Sequence, residues 1–251
     1  MSESRENRSA DRTIAILEAF EEKRRPLTLR ELATCCDIPA STCHALVQTL
    51  INRAYLYQSS RRKDLYPTRR ILDLARTVVE HDPFLERMAP VLEQLRLETQ
   101  ETVILGKRHK DQILYLEVLE SPQTIRYSSR AGEFKPLHSS SIGKVMLAAL
   151  NSIELEEWLR ARILPRVTGN TLTSRARLIE DLAECRRRGY FTTRGENVLD
   201  VTAIAVPALV NAELLGIAVA GPSHRMAPNH EKHAARLLLA QRRLQKEGIA
   251  A

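Results

Sequence analysis

The sequence predicts an α+β fold: an N-terminal winged helix-turn-helix, a linker helix, and a C-terminal α+β unit with a mostly antiparallel sheet. Three observations predict it. Apolar residues recur at helical spacing as far as Glu98, then give way after Glu101 to strand-like runs. Two extended runs flank a basic tip between residues 55 and 66. Positive charge gathers at the same end: residues 1–70 carry 13 basic and 9 acidic side chains, against 25 and 22 in the much longer remainder. The expected bounds are 9–67, 68–82 and 83–251.

Each element has its own signal. Ile14, Ile16, Leu17 and Phe20 form one helical face behind Ser9 or Asp11 as N-cap, and Pro26 stops it. Thr28 caps a second helix, and Glu31 three residues later completes a capping box. Asp37-Ile38-Pro39 is a turn. A third helix runs from Pro39 or Ala40 to about Asn52, with Cys43, Leu46, Val47 and Leu50 inward. Tyr55-Leu56-Tyr57 and Leu65-Tyr66 make a hairpin around Gln58 to Asp64, and Thr68 to Glu80 reads as the linking helix. Pro83 opens a helix to about Glu98. Strands follow at Thr102–Leu105, Ile113–Leu119 and Thr124–Ser128, then a loop from Arg130 to Ser141. Helices are expected at Gly143–Leu150, Glu154–Arg162 and Ser174–Arg188, the last ended by Gly189. Strands at Tyr190–Thr193, Thr202–Val206 and Leu214–Ala220 precede a basic helix from Asn229 to Lys246.

Composition narrows the classes. With 251 residues and 43% hydrophobic content the chain can bury a core, and 9 glycines with 11 prolines exclude a collagenous or low-complexity protein. Net charge is +7, which suits a polyanionic partner. The most apolar stretch, Val201 to Gly221, is interrupted by Pro207, Asn211 and Glu213 and reads as two strands, not a membrane span. The charged N-terminus is no signal peptide, so a cytoplasmic protein is expected. Cys35, Cys36, Cys43 and Cys185 lack metal-clip spacing and are expected to be buried, reduced thiols. No cofactor is called for.

The N-terminal pattern points to duplex DNA. The second helix of such a pair lies in the major groove. Ala40, Ser41 and Thr42 are small enough for close approach, and Ser41 and Thr42 can bond phosphate beside a helix start. His44, Gln48 and Thr49 are polar on the exposed side, and Gln48 can pair with adenine, His44 with a guanine acceptor. Arg61, Arg62 and Lys63 at the wing tip supply phosphate contacts or reach the minor groove. Thr28, at the preceding helix start, completes the expected set. A protein-docking module without DNA binding is the alternative.

In the C-terminal part, Ser139-Ser140-Ser141 precede a helix and offer hydroxyls and free N–H groups for a carboxylate, or serve only as caps. Ser141-x-x-Lys144 fits a serine-hydrolase nucleophile pattern, but its supporting motifs are missing. Gly143-Lys144 is no P-loop, because His138 stands where the first glycine belongs. His224, His230 and His233 have no carboxylate or cysteine to complete a metal set and are expected at the surface. Arg186-Arg187-Arg188 suits a solvated helix end.

Over nearly its whole length the sequence resembles the IclR family of bacterial transcription regulators. The matching stretches are Ala10 to Glu18, Leu27 to Ala33, Ile38 to Thr42, Leu137-His138 with Ile142-Gly143-Lys144, Arg188-Gly189-Tyr190, Ala203 to Pro207 and Ala220-Gly221-Pro222. The resemblance implies a DNA-binding regulator and no enzyme. It implies a GAF-like C-terminal domain that binds a small organic acid, and dimers or dimers of dimers on palindromic operators, as repressor or activator. Three positions depart from the family: Asp37 replaces a usual glycine before the recognition helix, Ala45 a common arginine within it, and Ala54 a frequent glycine before the wing. The implied effector positions are Tyr127, Ser141, Ile142, Thr193, Ala203, Ala218 and Ala220. Members that bind small oxoacids carry acidic, cysteine or serine residues at several of these; the alanines here imply a roomier, drier pocket. The expected effector is a larger carboxylate, aromatic in character, with its charge at Ser141 and the helix start.

Overall fold

The computed structural model describes residues 7–246, and the chain divides between Asp82 and Pro83 into two compact units. The first opens with α1 (Arg8–Lys23). Its cap is Asn7, whose side chain accepts from the Ser9 and Ala10 N–H groups, so the expected caps Ser9 and Asp11 lie inside the helix. Helix α2 (Leu29–Cys35) starts as expected: Glu31 N–H donates to Thr28 Oγ1 at 3.3 Å, and Glu31 Oε2 accepts from Thr28 N–H at 2.7 Å. Helix α3 (Ala40–Asn52) buries Cys43, Val47 and Leu50. Strands β1 (Leu56–Gln58) and β2 (Leu65–Pro67) pair antiparallel, and Leu27 bridges to Leu65. Ile16, Phe20, Leu27, Leu32, Leu56 and Leu65 close one small core. Burying one such side chain contributes roughly 1.5–3 kcal/mol. Helix α4 (Arg70–Glu80) buries none of its residues.

The second unit is a three-layer sandwich. Strands β3 (Thr102–His109), β4 (Gln112–Leu119), β5 (Phe134–Pro136), β6 (Phe191–Arg194), β7 (Val201–Val210) and β8 (Glu213–Pro222) form one sheet in the order β5-β4-β3-β8-β7-β6. Every pairing is antiparallel. Helices α6 (Ser141–Ala148), α7 (Ser152–Arg160) and α8 (Arg175–Arg188) connect one sheet edge to the other, and the short α9 (Ser223–Met226), unforeseen in the sequence, follows β8. Alternation assigns the faces. Val103, Leu105, Ile217 and Val219 pack under α5 (Pro83–Thr99) and α10 (His230–Lys246), whereas Ile104, Ala205 and Ala218 pack under α6, α7 and α8.

Several expectations need correction. Residues 124–128 form no strand; Tyr127 C=O accepts from Thr102 Oγ1 and Ile125 C=O from Arg225, so side chains rather than a ladder satisfy that backbone. The edge strand is β5, placed within the expected loop. Helix α6 begins at Ser141, two residues before Gly143. Cys35 is exposed, though Cys43 and Cys185 are buried and all four thiols are free. Burial and the neighbouring Cys35 push the Cys36 thiol up to about 12. His233 is buried rather than superficial. Arg186 and Arg187 are exposed, as expected of a solvated helix end, and Arg186 in addition donates to the Ala148 and Leu150 carbonyls at the end of α6.

Asp37 and Ala54, where the family favours glycine, both adopt left-handed backbone, with φ of 50° and 59°. Aspartate tolerates that region; alanine pays its full steric penalty there. Replacing Ala54 with glycine removes the penalty and returns part of it as unfolded-state entropy, for a net gain of about 0.5–1 kcal/mol. Urea unfolding should show a higher midpoint for Ala54→Gly at unchanged slope. A lower midpoint contradicts the reading.

Candidate functional site

The first unit presents one continuous polar face. Pro39 is the N-cap of α3 and supplies no side-chain hydrogen bond, so the N–H groups of the first turn stay open at a helix start suited to anions. Ala40 and Ser41 there are exposed and Thr42 is half-buried. His44 and Gln48 project one and two turns further along. Together with Thr28, Arg62 and Lys63 they line a single groove between α2, α3 and the wing. Arg30 and Gln58 also line it and were missed in the sequence; Arg30 carries the signal of a cation in the first turn after the Thr28 cap. Ala40, Ser41, Thr42, Thr49 and Arg61 lie outside this groove. Two expected groups are committed elsewhere. Thr28 Oγ1 is held in the capping box, and Thr49 Oγ1 donates back to Ala45 C=O at 3.0 Å.

The wing tip is ordered by its own backbone. Ser59 N–H donates to Asp64 C=O at 2.8 Å, Lys63 N–H to Ser59 C=O at 3.1 Å, and Gln58 Nε2 to Lys63 C=O at 3.0 Å. Arg61, Arg62 and Lys63 remain exposed, without an ion pair among the described residues.

Behind the groove, Arg25 pairs with Glu31 at 2.8 Å and, with the Thr28 bonds, pulls the Glu31 carboxyl down to about 2 from its ordinary 4.5. A lowered folded-state pKa contributes stability above the unfolded value and loses it as pH falls. The Glu31 contribution should thus be complete above pH 4.5 and lost on descent toward 2. Carboxyl-detected NMR should give a Glu31 midpoint near the lower value; an ordinary midpoint contradicts the capping account.

In the second unit a cleft of about 370 Å³, mouth included, lies between the start of α6 and the sheet. Thr193, Ala203 and Ala220 are cross-strand neighbours on β6, β7 and β8, and all three line it. Ser141 and Tyr127 line it too. Ile142 and Ala218, both expected there, do not. Ala218 lies one row deeper in the sheet, paired with Ile104 and Ala205. Ile142 packs down on the sheet: a Cβ on Gly216 would meet its Cγ2 at 2.6 Å, and one on Gly106 its Cδ1 at 3.3 Å. Gly143 is equally constrained, since a Cβ there would meet Leu137 C=O at 2.1 Å.

The remaining walls come from Ser139 and Ser140, expected from the serine run, and from Ile104, Tyr115, Asn197, Val198 and Val201, which the sequence reading missed. The three serines have separated roles. Ser140 is the cap: its Oγ accepts from Gly143 N–H at 3.2 Å and donates to Pro136 C=O at 2.6 Å. Ser141 is the first helical residue. Ser139 is fully buried, and its Oγ has no hydrogen-bond partner. A buried hydroxyl left unpaired is costly. Burial, reinforced by Tyr127, raises the Tyr115 hydroxyl well above its ordinary 10, so it stays protonated.

Lys144 is completely buried, with Nζ 2.8 Å from both Asp181 and Glu196 and 3.1 Å from Thr192 C=O. Its hydrogen-bond and ion-pair partners are these three groups, and Ser141 is not among them. Lys144 ties α6 to α8 and to the segment after β6. Burial outweighs Lys144 at Glu196 and raises that carboxyl. Removing one partner of a buried ion pair strands the others, at about 3–5 kcal/mol. Lys144→Met should lose that much by chemical denaturation; a loss below about 1 kcal/mol contradicts the tie.

Comparison with known proteins identifies both domains. The IclR helix-turn-helix domain matches residues 9–60, and the C-terminal domain of bacterial IclR transcriptional regulators matches residues 76–243. The chain is 33% identical over 222 residues to the HTH-type transcriptional regulator BhcR of Paracoccus denitrificans, covering 88% of this chain and 79% of that protein. It is 29% identical over 199 residues to XynR of Escherichia coli, covering 79% of each. Its fold is shared by Thermotoga maritima IclR, with a TM-score of 0.79 at 21% identity over 96% of this chain and 98% of that one. It is shared also by an IclR homologue from Microbacterium hydrocarbonoxydans crystallised with 4-hydroxybenzoate, with a TM-score of 0.78 at 22% identity over 97% and 100%. The relatives are transcriptional regulators, which sets aside a hydrolase built on Ser141 and Lys144. With both domains matched in order, the chain belongs to the IclR family of DNA-binding transcriptional regulators.

Proposed function

We propose that this regulator's DNA affinity is controlled by an aromatic carboxylate bound in the cleft beside α6. The observation that carries the reading is the unpartnered Ser139 hydroxyl, buried in the lining of a cleft that Ala203 and Ala220 also line. The N-terminal end of α6, which carries the positive end of the helix dipole, suits the carboxylate. Tyr115, Tyr127 and Asn197 suit a ring hydroxyl, and Ile104, Val198 and Val201 suit the ring faces. The 4-hydroxybenzoate in the Microbacterium homologue supports the same class.

On the DNA side, Gln48 and His44 read base edges, while the α3 start and Arg61, Arg62 and Lys63 hold phosphates. The operator is palindromic and the protein a homodimer, or a dimer of dimers. Helix α4 supports this: Leu72, Leu74, Val78 and Val79 are all exposed on one apolar arc. As the linker, it sets the spacing of the two half-sites. The effector acts by favouring one arrangement of that helix. No helix among the described residues is long and apolar enough to cross a membrane, in keeping with a cytoplasmic regulator.

Calorimetry should show 4-hydroxybenzoate binding to the full chain at least tenfold more tightly than glyoxylate or pyruvate, with Ser139→Ala weakening it by roughly tenfold. Tight glyoxylate binding with none of the aromatic acid overturns the effector reading. Charge reversal at both Arg62 and Lys63 should weaken binding to every duplex and lower the slope of log affinity against log salt by about 2. An unchanged slope overturns the wing's role.

A further inference from the structure

The pair β6–β7 has a second cavity on its other side. Side chains alternate along these strands, so Thr193, Val201 and Ala203 face the first cleft, whereas Arg194 and Thr202 face the opposite way. There, Arg194 and Thr202 meet Asn170, Leu199, Ser223 and His230 around a cavity of about 710 Å³, mouth included. The two cavities stand back to back across one strand pair.

The chemistry of the second cavity differs from that of the first. Arg194 has no carboxylate at ion-pair distance and no acceptor for its guanidinium among the described residues. Thr202 Oγ1 and Ser223 Oγ are 2.9 Å apart, so one hydroxyl donates to the other and the second proton is left for the cavity. His230 is fixed edge-on, with Nε2 3.2 Å from Thr192 Oγ1 and Nδ1 3.2 Å from Glu231 Oε1. The neighbouring carboxylates do not close the site. Glu231 is 83% exposed and occupied by His230 and Tyr190, and Asp200 is exposed, touching Ser223 through its backbone carbonyl. A planar guanidinium fork, a hydroxyl donor and the Asn170 amide converge on one volume, which is the donor set for a carboxylate or phosphate. Leu199 and Ala227 give that volume an apolar side, enough to cover a short carbon skeleton.

We propose that this cavity is a second ligand site, separate from the aromatic-acid cleft, for a small polyanionic metabolite: a phosphate ester or a di- or tricarboxylate. The proposal does not depend on which effector fills the first cleft, because the lining residues of the two cavities do not overlap.

The test is calorimetric titration of the full chain with citrate and, separately, with inorganic phosphate, at ionic strength held constant with potassium chloride. At least one titrant should bind saturably, and which one does distinguishes a carboxylate ligand from a phosphate ligand. Arg194→Gln should weaken that binding about tenfold or more, and Arg194→Lys, which keeps the charge without the fork, should fall between. Ser139→Ala should leave it unchanged. Saturable binding of neither anion overturns the proposal. So does equal binding by the wild-type and Arg194→Gln proteins, or loss of anion binding in Ser139→Ala, which would place the anion in the first cleft. Arg194 is exposed at a strand end, and Arg194→Lys provides a second reading should the glutamine variant melt early.

Discussion

The close seating of α6 on the sheet is the constraint on which the sensing half depends. Ile142 reaches the sheet only because Gly106 and Gly216 present no side chain, and the helix can start there only because Gly143 clears Leu137. Beneath that first turn, Lys144 fastens the helix to Asp181 on α8 and to Glu196 beyond β6. The serine loop is therefore held from below by apolar contact and from behind by charge. A ligand that settles against Ser139 and the helix start meets walls fixed before it arrives, which limits the ordering cost of binding.

The DNA-binding half obeys a different economy. Its core is small, and the chain around it is turned by local devices: a capping box at Thr28, a left-handed Asp37 between α2 and α3, a left-handed Ala54 before the wing, and a left-handed Lys63 at its tip. Each orients a polar element without needing more apolar burial. The start of α3, at Pro39, lacks a side-chain cap and is exposed, whereas α1 and α2 are capped by Asn7 and Thr28.

Much of this was legible in the sequence because its signals are local. Thr28 with Glu31 three residues on, the Cys43–Val47–Leu50 face, and the break at Asn211 and Glu213 that parts β7 from β8 involve near neighbours. What escaped depends on distant partners. Residues 124–128 have strand-like composition, but Thr102 and Arg225 take their carbonyls, while the three-residue β5 is too short to show a period. Three consecutive serines announce a helix start, yet only the structure separates the cap Ser140 from the unpaired Ser139. Asn197 and Val198 reach the cleft through the return from β6 to β7, a placement set by register and invisible to spacing. His233 looked superficial beside two other histidines, but α10 turns it inward.

The central claim is that a metabolite in the second unit changes the grip of the first on duplex DNA. Linkage makes this reciprocal: whatever factor the ligand imposes on DNA affinity, DNA must impose on ligand affinity. The most direct measurement is the dissociation constant of the full chain for the duplex upstream of its own coding sequence, by fluorescence anisotropy at fixed salt, with and without saturating 4-hydroxybenzoate. The account predicts a change of at least about fivefold in either direction, within the range of ordinary coupling energies. Equal affinities, with the ligand shown to be bound, would contradict it.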